Sequence, residues 1–213
     1  LARTDWTAVG GALLHDEPPP GDDIVVPLVA RTVGVVCSVL AIQNVEPDRE
    51  ASVTISLEPL VGGGPLTLAP RVIAPRRSAA MALCDDPQLA DLADGFEGSA
   101  RIRSDGAALA VTADMRFHGA AAVHGFEGQP ARGARPKLMA PLVHAGATYA
   151  GGLPELSSRI VVHNPGQATV RITVEYQGFD GTCAGQRMTQ GPIEVAPGAS
   201  SIIQVSGPTA VLP

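Results

Sequence analysis

Hydrophobic and polar residues alternate most regularly over two stretches of the chain. In the first, Val53, Ile55 and Leu57 alternate with Thr54, Ser56 and Glu58; in the second, Val170, Ile172, Val174 and Tyr176 alternate with Arg171, Thr173 and Glu175. A period of two places one face on a core and the other in water, as in an antiparallel strand. The run before each stretch is also strand-like. Leu40 and Ile42 correspond to Ile160 and Val162, whereas Val39 and Gln43 correspond to Arg159 and His163, so the first set is expected to point inward. Asn44 and Asn164 close these runs, each followed within three residues by turn formers. Further strands are expected around Ala100 and Ile102, which alternate with Arg101 and Arg103, and over Ala107–Met115. One short helical turn is expected near Pro87–Ala93. The count is seven or eight strands per unit with turn signals every 8–12 residues, which predicts an all-β fold of tandem immunoglobulin-like or fibronectin-III-like antiparallel β-sandwiches.

The unit occurs more than once. Val26–Val29 (VPLV) returns as Ala140–Val143 (APLV), Val39–Asn44 as Arg159–Asn164, Ala51–Leu60 as Ala168–Gln177, and Val72–Leu83 as Glu194–Val205. A spacing this long is that of a small domain rather than of a short solenoid unit. The expected organisation is a tail strand and Pro-rich linker over 1–25, a sandwich module with its exit linker over 26–139, and a second module lacking its last strands over 140–213. Leu1–Asp16 matches Leu109–Gly125, the last strand and exit of a module. Two readings of the ends stay open: the 213 residues are a section of a longer array, or the tail strand completes the open sandwich of a neighbouring copy. In the second reading the donor segment contains Leu1, Arg3, Asp5 and Trp6, and head-to-tail addition generates a filament.

The succession PLV, xxIxVxN, AxVxI, the I-x-V-A-P-G-x-S turn, GFxGSAxIxSD and LAVxxD resembles the tandem β-sandwich repeats of large secreted bacterial surface proteins. The resemblance spans Val26–Met115 and Ala140–Pro213. It implies an extracellular, cell-surface, structural or adhesive role. Arg76 and Arg77 stand where the other copy has Gly198 and Ala199, and this chain carries cysteines, so the copies are not uniform.

Composition agrees with the strand pattern: 45% of residues are hydrophobic but only 3% aromatic, and 24 Gly and 19 Pro punctuate the chain. The net charge of −6, with Lys137 the single lysine, leaves no basic stripe to displace counterions from a nucleic acid. No run of 18 apolar residues spans a bilayer. Self-association, or contact with neighbouring modules, is therefore the expected partnership, with no nucleic acid and no membrane span.

Motifs for chemistry are sparse. No nucleophile elbow, phosphate loop, dinucleotide fingerprint or HExxH occurs, so no enzyme and no cofactor are expected. Gly62–Gly64 precedes a strand rather than a helix and reads as a hairpin connection. His118 and His124 lack metal-site spacing, and His163 falls on an outward position. Asp22, Asp23, Asp85, Asp86, Asp91 and Asp94 are either solvated loop carboxylates or, less in keeping with their spacing, calcium ligands. Cys37 and Cys84 lie near strand ends, where a disulfide across the sandwich competes with two buried thiols; Cys183 is left over. The favoured function is a non-enzymatic structural protein of a surface fibre, sheath or stalk. The alternative is an accessory carbohydrate- or protein-binding module of a secreted enzyme or adhesin, for which Trp6, Tyr149, Tyr176 and Phe179 make a thin aromatic set.

Overall fold

The computed structural model describes residues 20–118, 123–138, 145–147, 156–178 and 184–205. These are all-β, with antiparallel pairing throughout and two short 3-10 turns, Pro87–Leu89 and Ala131–Gly133. The chain divides into two units, Leu1–Ala134 and Arg135–Pro213.

The first unit contains β1 (Asp23–Thr32), β2 (Val36–Asn44), β3 (Ala51–Pro59), β4 (Leu66–Thr67), β5 (Arg71–Ile73), β6 (Ser78–Ala82), β7 (Phe96–Ser104), β8 (Leu109–Phe117), β9 (Val123–Glu127) and β10 (Gln129–Pro130). One layer is β3–β7–β1, extended by β4 and β5 on the side of β3 and by β10 on the side of β1. The other is β6–β2–β8–β9. The layers join where β1 turns into β2, at the pairs Arg31–Cys37 and Thr32–Val36. Buried Ser38 reinforces that corner by accepting the Ala30 amide at 2.8 Å. Alternation does its expected work: Val53, Ile55 and Leu57 of β3, Leu40 and Ile42 of β2, Ala100 and Ile102 of β7, and Leu109, Val111 and Ala113 of β8 all enter one core. Their burial, at about 25 cal/mol per Å² of apolar surface, drives the two layers together.

The strand order differs from that of an immunoglobulin domain at two strands. There the layers run A-B-E-D and C-F-G. Here β6–β2 and β3–β7 match E–B and C–F, but β1, the first strand, lies beside β7 where G belongs, and β8 lies beside β2 where A belongs. Two stretches expected to be linkers also join the fold. Gly21 bridges Leu109, with amide-to-carbonyl bonds of 2.9 and 2.8 Å, and Gln129–Pro130 pairs with Val25 and Ile24. Proline is tolerated at that position because β10 is an edge strand, where a missing N–H breaks no interior ladder.

The second unit contains β11 (Ala145–Ala147), β12 (Leu156–Ser157), β13 (Arg159–His163), β14 (Val170–Gln177), β15 (Arg187–Val195) and β16 (Ser200–Gln204). Its pairs are β11–β12, β13–β16 and β14–β15. Each corresponds in register to a pair in the first unit. Arg159–Gln204 and His163–Ser200 stand as Val39–Ala82 and Gln43–Ser78 do. Val170–Val195 and Ile172–Ile193 stand as Ala51–Ile73 and Val53–Arg71 do, and Tyr176–Met188 as Leu57–Leu66. The match corrects the sequence alignment of this strand by two residues: Ala51 corresponds to Val170, not to Ala168. The faces are unchanged because the shift is even.

Candidate functional site and buried clamps

Asn44 and Asn164 are more than turn formers. Both are buried, at 0% and 4% exposure. Asn44 Nδ2 donates to the carbonyls of Arg49 (2.7 Å) and Ile73 (3.0 Å), while its Oδ1 accepts the Glu46 amide at 3.0 Å. Asn164 Nδ2 donates to Ala168 (2.8 Å) and Val195 (3.0 Å), and its Oδ1 accepts the Gly166 amide at 3.0 Å. In the first unit the side chain runs from the end of β2, in one layer, to β5, in the other. The surroundings match as well. The amides of Asn44 and Asn164 donate to Arg77 and Ala199, and those of Leu83 and Val205 donate to Ser38 and Ser158. In the turn before β6 and β16, Arg76 and Gly198 both have positive φ, 54° and 71°. Glycine adopts that conformation freely, whereas arginine does so at a cost.

Cys37 and Cys84 are joined by a disulfide with a Cα–Cα distance of 5.9 Å. It does not cross the sandwich. β2 and β6 are neighbours in one layer, and their ladder, followed outward from Val39–Ala82 through the Leu83-to-Ser38 bond, brings the two cysteines opposite each other. At the corresponding positions of the second unit the sequence has Ser157 and Ser206.

Several acidic residues of the first unit serve the fold. Asp86 caps the 3-10 turn by accepting the Gln88 amide and pairs with Arg71 at 2.5 Å. Asp94 accepts the Val33 amide, and Arg31 donates to the Leu92 carbonyl, which pins the same loop. Asp23 on β1 takes a two-pronged bond from Arg101 on β7, at 2.8 and 2.6 Å, with Arg103 at 3.5 Å. The Arg101 hydrogen bond holds the Asp23 carboxyl below its usual range against the opposing effect of burial, and Asp23 in turn raises Arg101. Asp22 lies 3.9 Å from Arg132, and Asp85 and Asp91 are exposed. No group of three potential metal ligands occurs among the described residues, and no helix among them is long and apolar enough to cross a membrane. His118 is exposed, His124 lies on β9, and His163 Nδ1 meets Ser200 Oγ at 3.0 Å across the β13–β16 ladder. Leu1, Arg3, Asp5, Trp6, Tyr149, Phe179 and Cys183 lie outside the described residues.

The second unit differs from the first in how fully its inward positions are covered. In the first unit β2 lies between β6 and β8, and β3 lies between β5 and β7. Among the described residues β13 pairs only with β16, and β14 only with β15. Val195, Ile203 and Val205 are closed off at 2%, 1% and 7% exposure, whereas Ile160, Val162, Ile172, Val174 and Tyr176 are only half-buried. Their counterparts Leu40, Ile42, Val53, Ile55 and Leu57 are at 3% or less. Covering each of these aliphatic side chains fully is worth about 1 kcal/mol. Tyr176 donates to Gln190 Oε1 at 2.8 Å, and burial pushes its phenol up from the usual value.

No family model and no curated protein matches this sequence. The crystal structure of Thermotoga maritima 1070 is similar over 51% of this chain and 93% of its own length, with a TM-score of 0.41 and 14% identity. A likeness of that degree carries no argument about function.

Proposed function

We propose that this protein is a non-enzymatic structural component of the cell exterior. Its two units are copies of one β-sandwich module of immunoglobulin-like pairing, with first and last strands exchanged, and they space or build a surface fibre, sheath or stalk. The observation that carries this reading is the residue-by-residue agreement of the two units: the same strand registers, the same buried asparagine and the same positive-φ turn. Copies kept alike in framework rather than in any reactive group are what a spacer needs. The Cys37–Cys84 bond adds support, since disulfides persist in oxidising compartments. The test is surface labelling of intact cells that express the protein, using a membrane-impermeant amine or carboxyl reagent, followed by thiol counting. Labelled protein with Cys37 and Cys84 oxidised is the expected result. Unlabelled protein with both thiols reduced would remove the proposal.

A further inference from the structure

We propose that the outer edge of β6 pairs with β6 of a second copy, antiparallel and about a two-fold axis at Ala80, so that two chains are tied side by side. This goes beyond the spacer reading and does not depend on it. The Leu83 amide donates to the Ser38 carbonyl and the Asn44 amide to the Arg77 carbonyl. In that ladder the odd-numbered residues of β6 turn their backbone groups toward β2, and the even-numbered ones turn theirs away. On the outward side the Ala82 carbonyl is taken by the Asp85 and Asp86 amides, at 3.1 and 3.0 Å. The amides of Ser78, Ala80 and Ala82 and the carbonyls of Ser78 and Ala80 have no partner there among the described residues. In an immunoglobulin layer strand D covers this edge; here the preceding strand, β5, pairs with β3 instead. Nothing in Ser78–Ala82 blunts the edge, which holds no proline, no charge and no shift of register.

The edge is complementary to itself. Setting Ala80 opposite Ala80 of the second copy sets Ser78 opposite Ala82, and these small outward side chains leave the approach open. The two Ala80 residues then exchange a pair of bonds, and each Ala82 amide meets the Ser78 carbonyl of the other copy. Charge selects the direction. Arg76, Arg77 and Asp85 are exposed and make no ion pair among the described residues. The antiparallel register carries Arg76 and Arg77, at the head of one strand, to the level of Cys84 and Asp85 at the tail of the other. A parallel partner would set arginine on arginine. The second unit lacks both signs, with Gly198, Ala199 and Gly207 at these positions of the sequence. Arg76 holds a φ of 54° where glycine would be at ease, and a carboxylate on the second copy accounts for a cation kept at that cost. Such a contact is isologous and closes on itself.

Sedimentation of the full chain should show a dimer at tens of micromolar and a monomer at nanomolar concentration; a monomer throughout overturns the proposal. Ala80→Pro removes an outward amide and no bond to β2, so it should fold and stay monomeric. Ala80→Lys, which sets like charges opposite each other, should do the same. A folded form of either variant that still dimerises overturns β6 as the contact. Asp85→Arg should weaken the dimer about tenfold, and adding Arg76→Glu and Arg77→Glu should restore it. In a Cys183→Ser background, Ala80→Cys should oxidise to a linked dimer, since Cα atoms so paired lie about 5.5 Å apart. Ser78→Cys, about 13 Å out of step with its own copy, should link only when mixed with Ala82→Cys. A Ser78→Cys homodimer in place of the Ala80→Cys one overturns the two-fold register. The labelling experiment reads location alone, so failure of the cell-exterior reading leaves these results unchanged.

Discussion

A carboxamide donates two hydrogen bonds and accepts as many, and Asn44 uses this capacity on backbone groups far apart in the chain. Replacing it by Asp keeps the acceptor for the Glu46 amide but removes the donor, which leaves the carbonyls of Arg49 and Ile73 facing an oxygen. The expected cost is roughly 2–4 kcal/mol, a large part of a domain's stability. Urea unfolding of Asn44→Asp and Asn44→Ala tests it, and a loss under 1 kcal/mol in both would show that the clamp is dispensable. The burial of Asn44 and Asn164 was not legible in the sequence, because the turn formers beside each of them account fully for an asparagine. The carbonyl that makes Asn44 structural belongs to Ile73, 29 residues away. The inward faces of β2 and β3 were legible, since alternation is a local property.

At the level of elements, sequence and structure part over which strands are neighbours. Cys37 and Cys84 were recognisable as lying near strand ends. Whether a bond between them crosses the layers or clips one layer depends on the β2–β6 pairing, which alternation does not encode. The same blindness hid β10, whose two residues sit in a Pro/Gly-rich stretch and gain their identity only from β1. The disulfide closes a separation of 47 residues and by chain entropy stabilises the first unit by about 2–4 kcal/mol. The double variant Cys37→Ser, Cys84→Ser should therefore melt roughly 10 °C lower, by calorimetry, than the oxidised protein. An unchanged transition would mean that the unfolded chain gains nothing from being cut free.

For the whole molecule, each unit has its own strand pairs and its own inward row, but the two are not equally closed. The first keeps its inward positions sealed, while the second leaves Ile160, Val162, Ile172 and Val174 half-open. Two calorimetric transitions are expected in dilute protein, with the lower belonging to residues 135–213. Asn164→Ala should lower only that transition and Asn44→Ala only the upper one. A single transition displaced by either variant would mean that the units unfold as one.

The clamp also separates two things that loops usually decide together. From Asn44 to the first paired residue of the next strand, Ala51, is one residue longer than from Asn164 to Val170, yet each side chain grips the carbonyl two residues before that strand begins. The side chain, rather than the length of the connection, sets where the strand starts. The connection itself is thereby released for other uses: the exposed pair Pro47–Asp48, ahead of the gripped Arg49 carbonyl, is a natural port for grafting foreign peptides, where an epitope or affinity tag is displayed on the sandwich without retuning the framework that carries it.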